Sequence, residues 1–478
     1  MDCYRIVGGR PLRGRVVASG SKNASLVLLA ATILLDGPAR LRGIPRVADT
    51  RAMVAILRRL GMRVSGRRGS LAIEPLDPTP VRLEQRLGRR LRASFCVLGP
   101  LLARRGRAVV PLPGGCNLGD RPVDLHLRGL AALGADIRLE HGYVIARADR
   151  LRGASILMRG PRGPSVTGTA NVLMAACLAR GRTRLCGAAR EPEIVELGRF
   201  LIACGAQITG LGDETIEIEG VERLGRPLPW RVMPDRIEAA TWLLYAAATR
   251  GRVSVRGAVA EHLGEVLRVL RAIGCDVTVS GDEVTLAADR EPLSPLDVAT
   301  GPYPAMPTDL QPLWLALAGT LGDSSRVVET IFPGRFQHVG ELRRFGARID
   351  LAFLLGRCVA PVRGGSAIGA GDGVSGDGRG DAPAPGAMMA AIDGPTAFSG
   401  AEVEASDLRA GAALVLAGLA ASGETVIHGA HHLDRGYHRL CEKLRGLGAC
   451  VERRRSATSH LVGDGAEPCP RGDLPSLS

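Results

Sequence analysis

The sequence predicts an α/β protein of two domains, each assembled from three copies of one unit. The first observation behind this is a phrase that recurs six times: an amphipathic helix ending on glycine, then a small residue and a strand. It reads LRRLGMRV at Gly61, LAALGADI at Gly134, LIACGAQI at Gly205, LRAIGCDV at Gly274, LRRFGARI at Gly346 and LRGLGACV at Gly448. The second is an Ala/Leu-rich helix before each copy, followed by Gly and a strand, with glycines at Gly37, Gly106, Gly181, Gly251, Gly322 and Gly423. From each of these to the next repeat glycine the steps are 24, 28, 24, 23, 24 and 25 residues, a constancy that marks a repeated unit. The third is length: 478 residues exceed what one core ordinarily serves.

Within a unit of about 70 residues, strands alternate with two helices. The glycine closing the amphipathic helix fits a C-cap, where φ > 0 is wanted. The other helix is apolar on all sides, as in LVLLAATILL (26–35), and is expected to be buried. The repeat glycines lie 73, 71, 69, 72 and 102 residues apart. The excess in the last gap falls in GGSAIGAGDGVSGDGRGDAPAPG (364–386), whose composition cannot bury enough apolar surface to order itself. The expected organisation is a first domain over 22–232, a second over 1–21 with 233–455, a flexible Gly-rich insertion over 364–390 and a disordered tail over 456–478.

Apolar residues make up 46 % of the chain and aromatics 3 %, so the cores must be built from Ala, Leu, Val and Ile. The net charge of +14 suits anionic partners. The basic residues are scattered, aromatics for base stacking are scarce and no zinc-finger spacing occurs, which argues against nucleic acid. Only two of the 62 basic residues are lysines, Lys22 and Lys443. Eleven cysteines without a CxxC pair suit a reducing compartment and, Cys116 apart, buried thiols. The N-terminus lacks a signal-peptide h-region, and the longest apolar run, Leu26 to Leu35, is too short to span a bilayer. A cytoplasmic protein without membrane contact is expected. No feature sets an oligomeric state, and a monomer is favoured.

Four polar clusters stand out. GSKNAS (20–25) opens the first buried helix, placing Lys22 and Asn23 at a natural anion site or, more simply, in a helix cap. PLPGGCNLGDRPVDLH (111–126) describes an exposed loop, in which Arg121 would favour the Cys116 thiolate. PYPAMPTDLQ (302–311) brings Asp309 to the start of a buried helix, where capping is the simpler role. ASDLRAGAAL (405–414) and HLDRGYHRL (432–440) place Asp407 and Arg409 before another buried helix and Arg435 in a turn, with structural salt bridges as the competing reading.

These clusters, with LRAS (91–94), REPEIV (190–195) and PDRIE (234–238), resemble the bacterial UDP-N-acetylglucosamine enolpyruvyltransferase family, within the wider group containing 5-enolpyruvylshikimate-3-phosphate synthase. The resemblance runs from about residue 5 to 455. It implies six βαβαββ units in two inside-out α/β barrels, with the active site between them. It also implies transfer of the enolpyruvyl group of phosphoenolpyruvate to a uridine nucleotide, with no metal or cofactor. By resemblance, Cys116 is the general acid, alkylated by fosfomycin-type epoxides. Lys22, Arg92, Arg121, Arg409 and Arg435 hold phosphoenolpyruvate, and Asp309 deprotonates the acceptor hydroxyl. Asp407 joins Cys116, Asp309 and Lys22 in the catalytic set. Asn23, Arg121, Pro122, Val123, Asp124, Leu125, Ser165, Val166, Asp309 and Ile331 line the acceptor site.

Two segments depart from the family pattern. Its Lys-x-Ser-Val-Gly-Ala-Thr reads Gly163-Pro164-Ser165-Val166-Thr167-Gly168-Thr169, and its Glu-Asn-Arg-Phe reads Pro333-Gly334-Arg335-Phe336. Both touch the acceptor side. UDP-N-acetylglucosamine, feeding peptidoglycan synthesis, is the leading acceptor. The alternative is a paralogue acting on UMP or another uridine nucleotide in nucleoside-antibiotic synthesis. A non-catalytic nucleotide-binding regulator is the reading from another class, disfavoured because the polar set is complete.

Overall fold

The computed structural model describes residues 2–114, 123–225, 229–290, 292–354 and 386–454. Cys116, Arg121 and Pro122, most of the expected insertion and the tail lie outside the described residues.

Six helices form the interior: α1 (Lys22–Ala31), α2 (Leu98–Arg105), α3 (Val166–Ala176), α4 (Arg236–Ala248), α5 (Gln311–Ala318) and α6 (Leu408–Ala420). They are mostly apolar and buried; all 13 residues of α4 are buried, whereas α2 ends on exposed Arg104 and half-buried Arg105. The repeat helices, such as Ala48–Arg59 and Gly264–Ala272, keep a polar face and end at Gly61, Gly134, Gly205, Gly274, Gly346 and Gly448. All six glycines have φ between 80° and 105°, the left-handed conformation a C-cap requires.

The sheets lie outside the helices and alternate buried with exposed residues, as in Arg182–Cys186. In the first half they are Trp230–Arg231, Ala39–Arg42, Ser70–Pro75 and Met62–Arg67; Arg107–Pro111, Tyr143–Arg147 and Asp136–Glu140; and Gln207–Thr209, Thr215–Glu219, Arg182–Cys186 and Ser155–Leu157. The second half contributes Asp276–Ser280, Glu283–Ala287, Arg252–Arg256 and Arg13–Val17; Asp297–Ala299, Asp323–Glu329, Ala387–Gly394 and Arg348–Leu354; and Glu402–Glu404, Glu424–His428, Cys3–Val7 and Cys450–Arg454. Leu354 pairs with Ala387, so the strands Arg348–Leu354 and Ala387–Gly394 lie antiparallel. Of the insertion expected over 364–390, residues 387–390 lie in the strand Ala387–Gly394, where Met388, Met389 and Ala390 are paired on both sides.

The buried apolar residues form two clusters. One runs from Ala24 to Met233; the other takes Tyr4 to Ala18 together with Ile237 to Val451. The chain passes between them twice, and the two crossings pair: Ser21 N–H donates to Met233 O (2.7 Å) and Asp235 N–H to Ser19 O (2.8 Å). Gly20 between them lies so close to the backbone of Gly43 that a Cβ would stand 1.9 Å from its carbonyl oxygen. Glu238 of α4 accepts Ser19 N–H (3.0 Å), and the Lys443 ammonium joins the Glu238 carboxylate and Ser19 Oγ (2.8 Å). Among the described residues no helix is long and apolar enough to cross a membrane.

Candidate active site

The crossings bring the N-termini of α1 and α4 together. Asp235 caps α4 by accepting Ile237 N–H (2.9 Å) and Glu238 N–H (3.0 Å) on Oδ1, while Oδ2 accepts Lys22 N–H (2.9 Å). Ser21 caps α1 through Ala24 N–H, which frees Lys22 and Asn23 from that task. The Lys22 ammonium lies 3.3 Å from buried Asp49, and the same carboxylate takes Arg435 Nε at 3.0 Å. A cation from each core thus converges on one acid.

Asp309 sits in the short turn Thr308–Leu310 before α5, and its side chain does not cap that helix. One oxygen accepts from Arg335 Nη2 and the other from Arg409 Nη2, both at 2.9 Å. Burial would raise its pKa, but Arg409 and Arg335, with Lys22 beyond them, hold the carboxyl well below the usual range. Burial likewise opposes the charge on Arg409, yet Asp309 keeps its pKa above the ordinary value. Arg409 also donates to Tyr437 Oη (3.3 Å). Arg335 reaches Thr308 Oγ1 (2.9 Å), whose hydroxyl donates to Glu329 (2.8 Å). Burial raises the pKa of Glu329, and its other oxygen fixes the turn at Ile331 by accepting Ile331 N–H (2.7 Å) and Phe332 N–H (2.8 Å).

Asp407 caps α6, accepting Arg409 N–H (2.8 Å) and Ala410 N–H (3.2 Å). It sets the position of Arg409, and among the described residues its carboxylate meets the Asp309 cluster only through the Arg409 backbone. Arg92, half-buried, opens the short helix Arg92–Val97. On the proposed acceptor side, Val123 precedes the helix Asp124–Ala132, with Asp124 exposed and Leu125 buried. Ser165 caps α3 through Gly168 N–H (3.1 Å), and Val166 is the first helical residue. The hairpin Arg159–Gly160/Gly163–Pro164 lies before them. Gly163 at its tip (φ 94°) meets Pro302 of the Asp309 segment, where a Cβ would stand 2.7 Å from Pro302 Cγ.

Residues given no role from the sequence complete the cluster. Asp49 and Asp235 organise Lys22, and Arg335 grips Asp309. Buried Glu193 pairs with Arg236 (3.1 Å), joining the helix Pro192–Ala203 of one core to α4 of the other. The cysteines expected to be buried divide: Cys3, Cys96, Cys177, Cys204 and Cys275 are buried, whereas Cys186, Cys441 and Cys450, near the ends of strands or of a short helix, are half-exposed. Burial pushes the thiols of Cys96, Cys177, Cys204 and Cys275 up to about 12, which leaves them unreactive at neutral pH.

The family model for EPSP synthase (3-phosphoshikimate 1-carboxyvinyltransferase) matches residues 6–444. The UDP-N-acetylglucosamine 1-carboxyvinyltransferase of Anaeromyxobacter sp. (strain Fw109-5) is 45 % identical, over 95 % of this chain and 100 % of that protein. The enzyme of the same name from Sorangium cellulosum (strain So ce56) is 44 % identical, over 95 % and 99 %. Among solved structures, the enolpyruvyl transferase NikO from Streptomyces tendae superposes with a TM-score of 0.78 at 25 % identity, covering 95 % of this chain and 98 % of that one. EPSP synthase from Acinetobacter baumannii shares the fold, with a TM-score of 0.66 at 18 % identity over 95 % and 100 %. Matched along nearly its whole length, in sequence and in fold, this chain belongs to the EPSP synthase (3-phosphoshikimate 1-carboxyvinyltransferase) family of enzymes.

Proposed function

We propose that this enzyme transfers the enolpyruvyl group of phosphoenolpyruvate to the 3-hydroxyl of UDP-N-acetylglucosamine and releases phosphate. The observation that carries the reading is the Asp309 carboxylate, kept ionised between Arg335 and Arg409 beside the cations Lys22 and Arg435. The acceptor is that of the relatives, which match over the full chain at 45 % and 44 % identity.

The reaction adds a hydroxyl to C2 of phosphoenolpyruvate and a proton to C3, then expels phosphate from C2 as C3 gives up a proton and the double bond re-forms, so it needs an acid, a base and fixed cations. In this reading Lys22, Arg92, Arg121, Arg409 and Arg435 hold the phosphate and carboxylate, each charge-assisted bond contributing about 1.5–3 kcal/mol. Cys116 gives C3 its proton. Asp309 takes the proton of the acceptor hydroxyl. With both oxygens on arginines it is a weak base; a substrate anion that draws Arg409 away restores its basicity as the acceptor arrives. Asp407 positions Arg409. Asn23, Val123 to Leu125, Ser165, Val166 and Ile331 line the acceptor site.

Gly163 and Thr167 favour a second reading, in which the acceptor is a smaller uridine nucleotide such as UMP. Phosphate release from phosphoenolpyruvate, measured with each nucleotide in turn, separates the two. Turnover with UDP-N-acetylglucosamine upholds the first reading, turnover with UMP alone the second, and phosphate release with neither overturns both.

A further inference from the structure

We infer that Thr167 is a specificity-determining residue for the acceptor nucleotide, its hydroxyl proton turned toward a ligand phosphate oxygen by a buried relay through His126 and Asn171. The inference rests on the acceptor site proposed above.

The relay has one consistent proton arrangement. Gly99 N–H can only donate, and it lies 2.6 Å from Asn171 Oδ1, which fixes the orientation of the amide. The two protons on Asn171 Nδ2 then go to Phe95 O (3.0 Å) and His126 Nδ1 (3.0 Å). His126 Nδ1 must therefore be the bare nitrogen, and a neutral ring carries its proton on Nε2. That nitrogen lies 3.1 Å from Thr167 Oγ1, so the ring donates and the hydroxyl accepts. His126 and Asn171 are 2 % and 0 % exposed, and Phe95 packs edge-on against the imidazole at 5.1 Å. Burial, aided by the charge of Arg92, holds His126 down at about 3, so the ring stays neutral throughout the working range.

Thr167 Oγ1 thus receives one proton and still has its own to give. Among the described residues none accepts it, and Thr167 is half-exposed in the first turn of α3, beside Ser165 and Val166. His126 closes the RPVDLH segment and so ties this hydroxyl to the other arm of the acceptor site. At the neighbouring departure, Gly163 lies against Pro302 with φ 94°, so the family's lysine cannot stand there in this arrangement. A neutral donor at Thr167 supplies a contact where that cation is missing.

The test is steady-state kinetics and calorimetric binding of the full chain with UDP-N-acetylglucosamine and with UMP, comparing Thr167→Val, Thr167→Ser and the unchanged protein. Thr167→Val keeps the shape and removes the donor; it should raise the KM and Kd of the accepted nucleotide roughly ten- to a hundredfold. The KM for phosphoenolpyruvate should stay within about twofold, and Thr167→Ser should recover most of the loss. Unchanged acceptor affinity in Thr167→Val, or an equal rise in both KM values, would sink the inference while leaving the acceptor reading intact. A chain that binds neither nucleotide would overturn both.

Discussion

Asp309, the base of the proposed reaction, owes its charge state to what surrounds it. A half-buried carboxylate with both oxygens on guanidinium groups is ionised, oriented and almost non-basic, which suits a group that must act only once substrate has rearranged its partners. Asp309→Asn keeps the shape and loses the base, so kcat should fall by about 10²–10⁴ with the fold intact, measured as phosphate release. Cys116→Ser should abolish turnover, and an epoxide label should map to Cys116 alone among the eleven cysteines. His126 gives a pH prediction. Its folded pKa, about 3, lies below its ordinary 6.5, so the unfolded chain binds the extra proton between those values. Stability should then fall as pH drops from 6.5, by at most about 1.4 kcal/mol per unit from this residue. Thermal melts of His126→Gln should show a shallower loss over that window. Lys22, Asp309, Arg409 and Arg435 were legible in the sequence because they sit in short polar phrases between apolar runs. Asp49 was not: its partner Arg435 is 386 residues away, and no local pattern encodes such a pairing. Arg335 left one clue, an Arg-Phe retained where the two residues before it depart from the family.

The elements were the most legible level, because each repeat helix declares its end. Gly274 shows the physical reason. Its φ is 102° and a Cβ would meet nothing closer than 3.8 Å, so the requirement is conformational and not a matter of space. Gly274→Ala should cost about 1–2 kcal/mol, visible as a lowered denaturation midpoint without loss of activity at low temperature. Gly20 answers to space instead: the carbonyl of Gly43 occupies the place of its Cβ, and no repeat pattern announces it. The Ala/Leu-rich helices were read as buried for the same reason that they are: no face of α4 or α6 offers water a polar stripe. Strand partners were less legible. Nothing near Arg13–Val17 says that it pairs with Arg252–Arg256, because that register is set by the second core and not by a turn.

At the scale of the whole molecule, the site exists because two contiguous cores share two paired crossings. Lys22 follows one crossing and Asp235 ends the other, so movement of one core on the other would move Lys22 relative to Asp309. The Glu193–Arg236 pair and the contact of Gly163 with Pro302 join the cores elsewhere. The N-terminal strand Cys3–Val7 lies between Glu424–His428 and Cys450–Arg454. Removing residues 2–8 would strip the centre of that sheet. The second core, which holds Trp242 and Trp314, should then show red-shifted tryptophan emission and rapid proteolysis, while the first core, with residues 24–233, stays protected. The same strand imposes an order in time. Both its partners are made after residue 423, so on the ribosome it must wait unpaired while the first core is synthesised and collapses. Closure of the last sheet then joins segments more than four hundred residues apart, a slow step. The newborn chain therefore passes through a stage with one finished half and one open half, and a chaperone that shields bare strand edges would find its substrate there.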